Sequence, residues 1–272
     1  MKTLHPSSRV PSAKSNRRKL APGSRSNSNG HPPAQSALTL GFDVGGTGLK
    51  ASVLNARGKM MVHRQSIDTP SPCPPKVLVK ALVDLAKLLP AFDRVSVGFP
   101  GYVRGDKVIT APEFGSDAWP GFDLVQALKT EFGKPVRLLN DADMQGLAVI
   151  KGDGLELVIT LGTGVGTALF RDGELMPHLE LAHHPAHKGA DYNGYLGKKA
   201  LKKIGKKKWN HRVRRMIRVL HDLFHFDKLY IGGGNARNIT LKPNAHLKLI
   251  SNQNGILGGF TVWNQKGKVR AG

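Results

Sequence analysis

The chain has 272 residues, 40% of them hydrophobic, enough for one large folded domain or two smaller ones. Lysine and arginine number 41 against 19 acidic residues, a formal charge of +22, so nucleic acid, an anionic surface or a phosphate polymer would suit it as partner. A single cysteine, Cys73, excludes an internal disulfide and a multi-cysteine zinc site, and no apolar run reaches the roughly 18 residues of a membrane span.

The first ten residues lack the apolar core of a secretory signal, so the expected location is the reducing cytoplasm, with no membrane partner. Residues 1–36 are rich in Ser, Pro, Asn and Arg and contain no acid, which predicts a disordered basic tail open to nonspecific polyanion binding. It lacks the apolar residues that a helix-turn-helix needs. Two halves are expected after it, 37–139 and 140–265, followed by a short basic tail, 266–272.

The first half reads as strands and helices. "LTLGFDV" predicts a buried strand, and "LKASVLNARGKMMVHRQS" a hairpin around a turn at Asn55–Gly58. Over 76–89, Val77, Leu78, Leu82, Leu85, Leu88 and Leu89 predict one apolar helical face. "DRVSVGFPG" is a short strand. "FDLVQALKTEF" is a helix with Asp123 near its positive end. "PVRLLND" is a strand broken at Asn140 and Asp141, and "ADMQGLAVI" is helical.

The second half repeats the opening. "ELVITLGTGVGTALFRDGELM" aligns with "LTLGFDVGGTGLKASVLNARGKM", each a strand, a glycine–threonine turn, a strand, a polar turn and a strand. Two related halves would face two glycine turns across one cleft. Gly46, Gly48 and Ala51 satisfy a dinucleotide fingerprint, but that motif needs a helix after the turn, and a hairpin is expected here. No Walker-type phosphate loop is present. A glycine turn between strands can still bring backbone N–H groups close to phosphate oxygens. On this reading Gly45, Gly46, Thr47 and Lys50, with Gly162, Thr163 and Gly164, form a phosphate site, and Asp43 orients Mg2+ or its water shell. A tight hairpin turn with no ligand is the plainer alternative for either segment.

Between Lys198 and Arg218 the chain carries seven lysines and four arginines with no acid, on helices expected to split near Gly205. A solvated face is the plain reading. Lys198, Lys199, Lys202, Lys203, Lys206, Lys207 and Lys208 would also suit a track for inorganic polyphosphate, a flexible chain of closely spaced charges.

Taken in order, "FDVGGTGLK", "GFPG", "LLNDAD", "TLGTGVG", "ELAHH" and "IGGG" resemble the ROK sugar kinases, a branch of the actin-like ATPase superfamily. The spacing is most similar to the polyphosphate glucokinase (polyphosphate/ATP glucomannokinase) branch, and the resemblance covers about residues 38–263. It implies an α/β fold of two domains with a cleft between them, Mg2+ as cofactor and a homodimer. It also implies phosphoryl transfer from polyphosphate, ATP or both to the 6-hydroxyl of glucose. Other possibilities are a strictly ATP-dependent glucokinase and a non-catalytic sugar-sensing or nucleic-acid-binding regulator. The regulator would need a DNA-reading domain ahead of residue 37.

By the same resemblance Asp141 is the catalytic base, a role that its place between a strand's end and a helix's start suits; a helix N-cap is the plainer alternative. Asn140, Glu180 and His183 bind sugar hydroxyls, with Ala182 in place of the family's usual glycine, and Gly101 brings backbone near the sugar. Glu113 and Asp191 compete for the role of second sugar acid. Gly232, Gly233 and Gly234 match the glycine motif on the adenosine side. In many relatives the motif histidine also binds zinc with three downstream cysteines. Those cysteines are missing, so no zinc is expected, and His184 and His187 are assigned to a loop.

Overall fold

Strands that are apolar on both faces make the centre of two sheets. The computed structural model describes residues 37–251 and 253–264, and both expected tails lie outside them. β1 (Thr39–Val44) and β2 (Gly48–Leu54) pair antiparallel across the first glycine turn, placing Asp43 opposite Lys50, and β3 (Gln65–Asp68) pairs antiparallel with β2. After α1 (Pro75–Ala86), β4 (Arg94–Phe99) joins β1 in parallel. The short strands β5 (Val103–Arg104), β6 (Lys107–Val108) and β7 (Phe122–Asp123) form a separate three-stranded sheet. α2 (Leu124–Phe132) leads to β8 (Val136–Asn140), parallel to β4, and the sheet order is β3-β2-β1-β4-β8.

The second sheet follows α3 (Asp141–Leu147). β9 (Leu155–Leu161), β10 (Val165–Arg171) and β11 (Glu174–Leu175) repeat the antiparallel meander. The small hairpin β12 (Pro185–His187) and β13 (Ala190–Asp191) comes next, then α4 (Tyr192–Leu196) and α5 (Lys198–Phe224). β14 (Lys228–Gly232) and β15 (Leu247–Leu249) add in parallel, giving the order β11-β10-β9-β14-β15. Strand for strand this is the first sheet's topology, so the repeat extends well beyond the two hairpins. α6 (Asn254–Thr261) then returns to pack on β1, β4 and α3.

Two expectations need correction. The strand after the Asn55 turn begins at Gln65, because the Asn55 side chain accepts N–H bonds from Arg57 (2.9 Å) and Lys59 (3.1 Å) and curls the chain into a compact loop. On α1 the buried stripe is Leu78, Val79, Leu82 and Leu85; Val77 is 38% exposed, and Leu88, beyond the last turn, is 64% exposed. α2 and α5 follow their sequence signals. Asp123 caps α2 by accepting from Gln126 N–H at 2.7 Å. Gly205 interrupts α5 with φ 76° and ψ 162°, a backbone region that residues with a side chain rarely occupy.

α3 decides the architecture. Six of its seven residues are buried, and it touches strands of both sheets, with the Phe170 ring of β10 lying where a side chain at Gly146 would project. Met144 and Leu147 share one apolar cluster with Phe42 and Val97 of the first sheet and with Val158, Phe170 and Tyr230 of the second. A separate cluster packs Trp209, Val213, Met216 and Leu220 of α5 on the other face of the second sheet, leaving the lysines outward. Burying an aliphatic side chain such as Val213, Met216 or Leu220 is worth about 1.5–3 kcal/mol. α3 is therefore a rigid wedge, and its N-terminus opens where the two sheets face each other.

Candidate active site

A cleft of about 560 Å³ opens at that N-terminus and is lined from both sheets. One wall is the first glycine turn with Asp43, Gly45, Gly46, Thr47 and Lys50, and the facing wall is the second turn, Gly162, Thr163 and Gly164. Each turn is fastened from behind. Gly45 N–H reaches Gly48 O at 3.1 Å, and the Thr69 hydroxyl donates to Gly45 O at 2.6 Å. Gly162 O receives Lys198 N–H at 3.0 Å and Asn235 Nδ2 at 2.8 Å, while Asn193 Oδ1 accepts Val165 N–H at 2.8 Å. Lys50 Nζ lies 2.9 Å from Asp43 Oδ2, so this cation and carboxylate hold each other at the cleft edge.

Asp141 stands at the head of α3 and lines the cleft. The capping residue is its neighbour: Asn140 Oδ1 accepts Ala142 N–H (2.8 Å) and Asp143 N–H (3.4 Å), and Asn140 Nδ2 donates to Gly101 O (3.1 Å). Asp141 is thus spared the capping duty, although its Oδ1 also accepts Ala142 N–H at 2.8 Å. Burial first, then the charge of Asp43, push the Asp141 carboxyl up to about 7 against that backbone N–H. Such a carboxyl can take a proton near neutrality.

Glu180 and His183 line the same cleft, with Glu180 Oε2 3.9 Å from His183 Nε2. The competition between the two further acids splits by place. Glu113 lines the cleft, whereas Asp191 is absent from its lining, caps α4 through Gly194 N–H (2.7 Å) and stands 3.7 Å behind His183. Gly233 and Gly234 border the cleft, while Gly232 is buried within β14, where Ile231 and Gly232 pair with β9. Of the seven lysines assigned to a track, only Lys198 reaches the lining; the other six are exposed along α5. His184 and His187 are exposed in and beside the β12–β13 hairpin. Among the described residues no helix is long and apolar enough to cross a membrane, and no group of three or more His, Cys, Asp or Glu is arranged to hold a metal.

The sequence reading missed several lining residues: Gln145 one turn below Asp141, Asn193, Asn235, Arg237 and His178. Asn235 and Arg237 follow the third glycine run directly and could have been read as its polar continuation. His178 stands two residues before Glu180, a spacing that puts both on one side of an extended segment. Its second partner, Asp143, is 35 positions away and leaves no local sign.

Residues 39–197, more than half of the chain, match the model of the ROK family. The chain belongs to the ROK family. Polyphosphate glucokinase of Mycobacterium tuberculosis (strain CDC 1551 / Oshkosh) is 27% identical over 227 residues, which is 80% of this chain and 84% of that one. The crystal structure of inorganic polyphosphate/ATP-glucomannokinase from Arthrobacter sp. strain KM superposes with a TM-score of 0.75 at 27% identity, covering 84% of this chain and 98% of that one. A ROK family glucokinase from Streptomyces griseus, solved with glucose and AMPPNP, shares the fold with a TM-score of 0.70 at 18% identity, covering 84% and 100%. The two matching sheets and the cleft between them are therefore the actin-like ATPase architecture of the ROK sugar kinases.

Proposed function

We propose that this ROK protein is a hexose kinase that transfers a phosphoryl group from inorganic polyphosphate, ATP or both to the 6-hydroxyl of glucose. The observation that carries the reading is Asp141 at the head of a buried helix, in one cleft with two braced glycine turns and with Glu180 and His183. On this reading Glu180, His183 and Asn140 orient the sugar by accepting from and donating to neighbouring hydroxyls. Asp141 takes the proton of the attacking hydroxyl as its oxygen bonds to the terminal phosphorus. The bond from that phosphorus to the donor's bridging oxygen breaks, and a donor shorter by one phosphoryl leaves. Backbone N–H groups of the two turns, with Thr47, Thr163 and Lys50, face the donor's oxygens, so most of the rate comes from positioning and charge stabilisation.

Mg2+ prefers oxygen ligands and is commonly held by one or two carboxylates together with substrate phosphates. Asp43, a carboxylate beside the first turn, fits that requirement. When bound, the ion would neutralise charge on the transferred phosphoryl group.

Polyphosphate is placed first among donors because α5 begins at the cleft with Lys198 and continues with six exposed lysines. Binding a polyanion along it would release counterions and weaken steeply with salt. The test is hexose 6-phosphate formation by purified protein with glucose, Mg2+ and either long-chain polyphosphate or ATP. Turnover with polyphosphate supports the full reading, and turnover with ATP alone restricts it to a glucokinase. No product with either donor, alongside measurable sugar binding, would move the protein to the sensor class.

A further inference from the structure

His178 is held on both sides by carboxylates. Its Nδ1 lies 3.1 and 3.0 Å from the two oxygens of Asp143, and its Nε2 lies 3.2 Å from Glu180 Oε1. The side chains of His178 and Asp143 are only 5% and 2% exposed. The Tyr102 ring stacks on the imidazole with centroids 5.9 Å apart. An ionised carboxylate only accepts hydrogen bonds, and a neutral imidazole has one N–H to give. Two carboxylates on opposite nitrogens therefore call for a ring that carries two protons.

We propose that His178 is a positioning residue of the sugar site: as an imidazolium it clamps Glu180 in the orientation that receives the acceptor's hydroxyls and neutralises Asp143 two residues from the base. The inference rests on the hexose-kinase reading and adds to it a residue that joins the base helix to the sugar acid. The electrostatics at the imidazole and at Glu180 agree with the geometry, while at Asp143 burial raises the carboxyl and the bond and charge of His178 pull it back down. Burial disfavours charge on His178, but the bonds to Asp143 and Glu180 and their charges raise it to about 10. The bond from His178 holds Glu180 below the usual carboxylate range. At Asp141 the charge of Asp143 pushes the carboxyl up and that of His178 pulls it down. The groups around the imidazole are Asp143 from α3, Glu180 from its own segment and Tyr102 from the loop before β5, with His183 near the far oxygen of Glu180.

The clamp is tested in two ways. NMR of the intact wild-type protein, with His178 assigned through its contact to Tyr102, should show protons on both ring nitrogens from pH 6 to 9. A ring with a single N–H at pH 7 would overturn the proposal. In His178→Gln the KM for glucose should rise about tenfold or more, as expected on losing a charge-assisted hydrogen bond. The KM for the phosphoryl donor should stay within about twofold, and the acidic limb of kcat/KM should move to higher pH as Asp141 loses a neighbouring cation. A folded His178→Gln with unchanged glucose KM and pH profile overturns the clamp while leaving the kinase reading intact. Failure of the wild-type protein itself to bind or phosphorylate hexose removes the kinase reading, and the clamp's role with it.

Discussion

Asp141 has to be buried enough to hold a proton and exposed enough to reach a substrate. With its carboxyl raised to about 7, kcat/KM should fall roughly tenfold per pH unit below neutrality, as the base fills with protons, and level off above about 8. A pH–rate profile flat down to pH 5 would remove Asp141 from the role. Asp141→Asn should lower turnover by about 10²–10⁴-fold while glucose still binds, measurable by single-turnover assay beside calorimetry. The same substitution has an opposite effect on stability. Between its ordinary value near 4 and its folded value near 7, the folded state holds a proton that the unfolded state releases, so stability from this group is lost as pH rises through that window. Asn carries no charge there, so Asp141→Asn should be the more stable protein at pH 8, by up to about 4 kcal/mol, and equal to wild type near pH 4. Asn140 and Asp141 could be placed in the cleft from sequence because they are neighbours where β8 ends and α3 begins. The choice between Glu113 and Asp191 was not legible, because the place of Glu113 depends on Phe114 packing at 5.3–5.4 Å on Phe99 and Trp119, contacts no short motif encodes.

Among the elements, the glycine hairpins, α2 and the broken α5 were legible because each is specified by adjacent residues: turn glycines, a capping aspartate, an apolar stripe. Strands of two or three residues such as β5, β6, β12 and β13 carry too little pattern to read, since long-range pairing creates them. α5 carries its own prediction. Reversing Lys202, Lys203, Lys206 and Lys207 to Glu should raise the KM for long polyphosphate at least tenfold and flatten its salt dependence, with ATP kinetics unchanged. These side chains are exposed and avoid the apolar seam of Trp209, Val213 and Met216, so the fold should survive. Equal losses with both donors would return the face to simple solvation. At the break, Gly205→Ala forces a side chain into a left-handed backbone and should cost about 1 kcal/mol in chemical denaturation.

At the scale of the molecule, sugar bound in the cleft would bridge groups borne by both sheets. Glucose at about a hundred times its Kd should add about 2.7 kcal/mol and raise Tm by roughly 5–10 °C, with an open-chain polyol as the baseline. No shift under those conditions would contradict sugar binding. The repeat of the two sheets was visible in the sequence through its hairpins. The return of α6 was not, because "NGILGGFT" has no counterpart in the first half and reads as a short apolar run.

That return is a close fit. A side chain at Gly258 would strike the carbonyl of Met144, Ser96 Oγ donates to Gly259 O at 2.7 Å, and the Trp263 indole donates to Ser96 Oγ at 2.7 Å. Residues that follow the whole second sheet in the chain therefore complete the packing of the first. While the ribosome is still translating the second half, β1 and β4 have no α6 to cover them, and a nascent chain stopped short of residue 254 would display that apolar face to chaperones. The order of synthesis and the order of assembly therefore differ here: the first sheet's packing is complete only once residues 254–264 have been made.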